Sequence, residues 1–197
     1  MRRGSIAGRT IRKRVVGALA AWLALAGAAW AQSGIVSRQE ALTTVFAGAT
    51  IASDRVYLTA EQAEQIAELA RDEVRTRIYA RYVATRDGAV IGRAYVDTHV
   101  VRTKRESLLV SLEADGRVRR IDVTAFLEPP EYLAPEPWKR QYYDKPLGDD
   151  LAIQRAIRPI AGATLTTQAV NSAVRRVLAL DRVLEGYGPA GEGLGAP

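Results

Sequence analysis

The sequence predicts an α+β fold: an antiparallel sheet of two Asp-Gly hairpins, with helices before it and one helix after it packed on it. Three observations carry this. Asp87-Gly88 separates the alternating segments 80–86 and 89–101, and Asp115-Gly116 separates 107–114 from 117–127. An Asp-Gly pair between alternating segments is a hairpin signal, because both central residues of a tight hairpin turn need φ above zero. In the third strand Leu108, Val110, Leu112 and Ala114 share one face, while Ser107, Ser111 and Glu113 take the other. On either side of this four-strand meander the apolar spacing is helical, and helices segregated from strands define the class.

The first 31 residues read as a secretory signal peptide. Arg2, Arg3, Arg9, Arg12, Lys13 and Arg14 form a basic start, residues 15–27 an apolar middle, and Ala29-Trp30-Ala31 a small-x-small cleavage site. The predicted location is therefore periplasmic, by the general or the twin-arginine route. An uncleaved N-terminal anchor is the alternative, with Trp22 and Trp30 suited to an interface. This segment also accounts for the formal charge of +6. Its six basic residues, unmatched by acids, leave the rest of the chain neutral, so the high pI is no argument for nucleic acid.

Residues 32–78 are read as a helical segment. Ser37-x-x-Glu40 and Thr59-x-x-Gln62 fit capping boxes. After the second, Ala63, Ile66, Ala67, Ala70, Val74 and Ile78 make a helical stripe beside Glu61, Glu64, Glu68, Arg71, Asp72 and Arg75. Phe46-Ala47-Gly48-Ala49-Thr50 is read as a turn after the first helix.

Residues 79–185 form the predicted functional domain. Its long loop holds Pro129, Pro130, Pro135, Pro137 and Pro146 with Trp138, Tyr142 and Tyr143, either as a structural wrap or as a binding lid. The last helix is placed at 166–184. Val170, Ala173, Val174, Val177, Leu178 and Val183 give its apolar face, and Arg175, Arg176 and Arg182 its polar one. In the tail, 186–197, Gly186-x-Gly188-x-x-Gly191 matches a dinucleotide fingerprint in letters alone. It follows a helix, contains Pro189, and opens no helix, so it is set aside. The tail is read as flexible.

Side-chain chemistry is sparse. The chain has no cysteine and one histidine. Thiolate metal sites, iron–sulfur clusters and cysteine nucleophiles are excluded, and no metal site is predicted. His99 shares a strand face with Tyr95 and Asp97. It reads as a general base held by a carboxylate or, more commonly, as a satisfied strand histidine. No catalytic side chain is assigned, so redox work would have to come from a bound cofactor.

The stretch around which the domain is organised is Ile160-Ala161-Gly162-Ala163-Thr164-Leu165-Thr166-Thr167. Small residues leave the backbone bare ahead of three hydroxyls at a helix start, where free N–H groups and the helix dipole accept a phosphate. The bland alternative is that one threonine is an N-cap.

With its surroundings, this segment resembles the C-terminal motif of the FMN-binding domain family, which includes the flavin subunits of Rnf complexes and of sodium-pumping NADH:quinone reductase. The resemblance rests on Ala161-Gly162-Ala163-Thr164-Leu165-Thr166-Thr167, and upstream on Leu127-Glu128-Pro129-Pro130 and Trp138-Lys139-Arg140-Gln141-Tyr142. It implies FMN as cofactor, electron transfer as function, and a phosphoester to Thr164 made by a flavin transferase. The cofactor-binding residues it implies are Ala161, Gly162, Ala163, Thr164, Leu165, Thr166, Thr167, Glu128 and Trp138. Members with covalent flavin usually carry Asp six residues before the acceptor threonine; here Arg158 stands there and is a candidate partner for the phosphate. The implied electron partner is a membrane redox complex or a cytochrome. Three readings stay open: a tethered flavoprotein, a non-covalent FMN binder using Arg158, and a cofactor-free interaction module in which the threonine run is only a cap.

Overall fold

In a computed structural model of the chain, residues 34–186 are described, so the predicted signal peptide of residues 1–31 and nearly all of the predicted 186–197 tail lie outside the described residues. The elements run α1 (Arg38–Val45), β1 (Thr50–Tyr57), α2 (Ala60–Ala70), β2 (Ile78–Arg86), β3 (Ala89–Val100), β4 (Arg105–Glu113) and β5 (Val118–Phe126). A short turn of 3-10 helix (Pro130–Tyr132), α3 (Glu136–Lys139), a second 3-10 turn (Arg140–Tyr142) and α4 (Thr164–Glu185) complete them. The five strands pair antiparallel in the order β1-β2-β3-β4-β5, so the fold is α+β.

One strand is more than the sequence predicted. β1 lies inside the segment read as helical and pairs with β2 from Thr50↔Thr85 to Tyr57↔Ile78. Only Val56 of its eight residues is buried. An edge strand exposed on both faces has no apolar alternation to read. The second helix is shorter than the stripe suggested. Arg71, with φ 56°, ends it in the left-handed region, leaving Val74 in the following loop and Ile78 at the start of β2.

Asp87 and Gly88, with φ 52° and 81°, make a two-residue turn between β2 and β3, the backbone twist that suits a hairpin. The β4–β5 turn closes through Glu113 N–H donating to the Arg117 carbonyl at 2.9 Å, with Gly116 at φ 80°. Gly92 packs against Phe46, the residue that follows α1: a Cβ there would stand 2.4 Å from the Leu112 carbonyl oxygen and 2.6 Å from the Phe46 ring.

The sheet is covered on both faces. Ala41, Leu42 and Val45 of α1, with Phe46 just after it, pack against Ala84, Ala94 and Leu109. On the other face, Val170, Ala173, Val174, Val177 and Leu178 of α4 meet Leu108, Val110, Leu112 and Ile121, with Ile66 and Ala70 of α2 beside them. The apolar face of α4 is thus as predicted, but its arginines are not a solvated face. Arg175 is buried and donates to the carbonyls of Ala70 at 2.8 Å, Leu69 at 3.2 Å, Gly148 at 2.9 Å and Leu151 at 2.9 Å. It thereby satisfies the C-terminal carbonyls of α2, which the helix leaves unpaired. Arg182 donates to the Leu147 carbonyl at 2.9 Å.

Candidate functional site

The site forms where α4 begins. The chain enters from Ile160, turns at Gly162 with φ 78°, and starts the helix at Thr164 with Ala163 as N-cap. An N-cap alanine has no side-chain acceptor, and no side chain caps this helix. Its first turn also carries no acidic residue. The first N–H groups and the positive end of a 22-residue helix are therefore left for another acceptor. A Cβ on Gly162 would meet nothing within 4 Å, so space is not what selects glycine here; the left-handed φ is.

The three hydroxyls have separate jobs. Thr167 Oγ1 donates to the Ala163 carbonyl at 3.0 Å and accepts from Ile160 N–H at 2.9 Å, which ties the entry turn to the first helical turn. Thr166 Oγ1 donates to the Tyr132 carbonyl at 2.7 Å. Thr164 is exposed at the helix start. None of the three is the N-cap, because that position belongs to Ala163.

A cavity of about 300 Å³ opens over this start, lined by Arg102, Tyr132, Gly162, Ala163, Thr164, Leu165 and Thr166. That volume is at the small end of the range for small-molecule sites. Arg102 and Tyr132 are the two lining residues that the sequence reading missed. Arg102 sits in the β3–β4 turn with its guanidinium carbon 4.3 Å from the Tyr132 ring centroid. An Arg–aromatic contact between residues 30 positions apart leaves no local trace in the sequence.

Glu128 and Trp138 support the site from behind the cavity lining. One carboxylate oxygen of Glu128 accepts three successive N–H groups, from Arg102 at 3.1 Å, Thr103 at 2.6 Å and Lys104 at 2.7 Å. The Thr103 and Lys104 N–H groups, in that order, hold its carboxyl below the usual glutamate range. Trp138 Nε1 donates to the Arg158 carbonyl at 2.6 Å, and its ring meets Tyr142 edge to face at 5.6 Å. Gln141 Oε1 accepts from Arg158 N–H at 2.9 Å. The Trp-x-x-Gln-aromatic segment thus clamps the backbone of Arg158, whose side chain is exposed and does not line the cavity. Ala161 is exposed in the entry turn, also off the lining. Tyr142 is fully buried and donates to Asn171 at 3.2 Å, so this part of the long loop is a wrap.

His99 belongs to a buried network in the domain interior. Its Nδ1 lies 2.9 Å from Asp97 Oδ1 and its Nε2 3.1 Å from Glu106 Oε2. Arg176 bonds both Asp97 oxygens, at 2.8 and 3.0 Å, and also Asp72. Burial alone would push the imidazole pKa down; hydrogen bonds to Asp97 and then Glu106 outweigh it and hold it above 6.5. Nearby, Arg93 and Tyr95 both bond Asp181, at 2.5 Å and 2.7 Å. His99 is buried with both ring nitrogens bonded, as the structural reading of it anticipates, while Glu106 Oε1 has no hydrogen-bond partner. Among the described residues no cluster of three or more His, Cys, Asp or Glu is arranged to hold a metal ion, and no helix is long and apolar enough to cross a membrane.

The donor set at the cavity fits a phosphate ester. It offers one guanidinium, an uncapped helix start, a bare glycine turn and an exposed hydroxyl, and no carboxylate lines it. Comparison with known families agrees with that chemistry: residues 105–179 match the family model of the FMN-binding domain. The match runs from β4 through most of α4 and includes Glu128, the Trp138 segment and the whole threonine run. No curated protein matches the chain.

Proposed function

We propose, from the premise that residues 105–179 are an FMN-binding domain, that this chain is an exported electron-transfer flavoprotein with FMN phosphate seated at the start of α4 and esterified to Thr164. The observation that carries the reading is the cavity over an uncapped helix start, with the Thr164 hydroxyl at its rim. Thr166 and Thr167 are occupied by the fold, so Thr164 is the hydroxyl left for chemistry.

Each lining residue has a role in this reading. The N–H groups of Thr164, Leu165 and Thr166 receive phosphate oxygens, and Gly162 leaves the approach open. Tyr132 and Arg102 form the opposite wall. Attachment joins Thr164 Oγ to phosphorus with loss of the hydroxyl proton. The phosphoryl donor is an activated flavin phosphoanhydride whose remaining phosphate fragment leaves, because condensing a free phosphate with an alcohol in water is uphill. A flavin transferase supplies that step. FMN, when bound, supplies one- and two-electron transfer, and tethering by its phosphate leaves the ring system free to meet a partner.

The basic and apolar N-terminal residues support export, and a membrane redox complex or cytochrome is the partner class that such a tethered carrier serves. The test is the colour of the purified protein from a host that provides a flavin transferase. Flavin absorbance that stays with the polypeptide in denaturant supports attachment. Yellow protein that bleaches on denaturation supports a non-covalent site, and colourless protein overturns the flavin reading.

A further inference from the structure

We propose that Arg102 is the residue that makes this site select a phosphorylated flavin over riboflavin, with Glu128 and Tyr132 as its positioning residues; the proposal rests on the flavin reading above. Arg102 lies three positions before the segment that matches the family model. It is nevertheless placed in the cavity by two independent restraints.

The first restraint acts on its backbone. Three consecutive N–H groups of the β3–β4 turn converge on one Glu128 oxygen, and Val101 N–H closes the turn on the Lys104 carbonyl at 3.1 Å. A turn pinned in this way has little freedom to swing Arg102 away. The second restraint acts on the side chain. The guanidinium lies over the Tyr132 ring, and Tyr132 is itself fixed by Thr166 Oγ1 on its carbonyl at 2.7 Å. Stacking of this kind leaves the edge of the guanidinium free to donate.

That edge has no salt-bridge partner among the described residues, although the Glu128 carboxylate lies close enough to feel the Arg102 charge. That carboxylate spends its hydrogen-bonding oxygen on the backbone. A guanidinium presents parallel N–H groups that match two phosphate oxygens, whereas the ribityl end of riboflavin offers only neutral hydroxyl acceptors and no charge to pair with. The arrangement thus assigns to Arg102 the task that the sequence suggested for Arg158, whose side chain stands outside the lining.

The test uses the full chain made without a flavin transferase, so that Thr164 is unmodified. FMN and riboflavin are each titrated against it by quenching of flavin fluorescence. Wild type is expected to bind FMN more tightly. Arg102→Gln should weaken FMN roughly 10- to 100-fold, the scale of losing a charged hydrogen bond, while riboflavin binding stays unchanged. Arg102→Lys should recover only part of the difference, because an ammonium neither stacks nor grips two oxygens. The melting temperature of each variant is read alongside. FMN affinity unchanged in Arg102→Gln, or both flavins weakened equally, overturns the proposal. Wild type that binds neither flavin overturns the proposal, while the flavin reading itself stands or falls on the colour of protein made with a transferase.

Discussion

The hydroxyl of Thr166 donates to the backbone carbonyl of Tyr132 at 2.7 Å, across 34 positions of sequence. This bond joins the first turn of α4 to the 3-10 segment that carries the aromatic wall of the cavity. Thr166→Val keeps the shape and removes the bond. The variant should lose about 1 kcal/mol of stability, and FMN affinity should fall with it. Denaturant unfolding and flavin titration on the same preparation check both.

Gly162 has φ 78° and open space around its missing side chain. Gly162→Ala should therefore cost about 1 kcal/mol, from the left-handed backbone alone. Gly92 is the contrast, since its new Cβ would strike the Leu112 carbonyl and the Phe46 ring. Gly92→Ala should destabilise by more, and thermal melts of the two variants should rank them in that order.

His99 faces Asp97 and Glu106, and Arg176 and Asp72 extend the same network. Its pKa is raised in the folded protein, so its stabilisation is fully present below about 6.5 and is lost as pH rises through the folded value. His99→Gln should flatten that part of the stability–pH curve. Below about pH 6.5, where the imidazole is charged, it should also cost on the order of 3–5 kcal/mol, because two buried carboxylates lose a cation. Unfolding free energies of both proteins from pH 5 to pH 9 give the comparison.

Glu128 titrates the other way. Its carboxyl is held below 4.5 by the N–H groups of Thr103 and Lys104. The clamp it makes is present above about pH 4.5 and is lost as pH falls through the folded value. Amide exchange at Thr103 and Lys104, referred to each amide's intrinsic rate, should be protected at neutral pH and lose that protection in acid. In Glu128→Ala the protection should be absent at both.

Much of this was legible in the sequence because local rules decide it. Asp87-Gly88 dictated a tight turn, Thr59 and Gln62 form the expected reciprocal cap at 3.0 and 3.1 Å, and the apolar stripe of α4 is buried. The exposed edge strand β1 had no such signature. Arg175 and Arg176 were assigned to a polar face because sequence shows their charge and not the carbonyls of α2, nor Asp72 and Asp97, that the fold brings to them. A helix start within the threonine run was legible from its small residues and hydroxyls, though it was placed at Thr166 and the helix begins two residues earlier, at Thr164. The Arg102–Tyr132 wall was not, because only the packing of the β3–β4 turn against the long loop brings the two residues together.

The most direct test is the intact mass, under denaturing conditions, of the protein and its Thr164→Val variant made with a flavin transferase. Thr164 is exposed, so the substitution should leave stability within about 0.5 kcal/mol of wild type. The wild-type mass should be raised by one FMN less one water, and the variant should be unmodified. An unmodified wild type, or a modification that survives in Thr164→Val, would contradict attachment at Thr164.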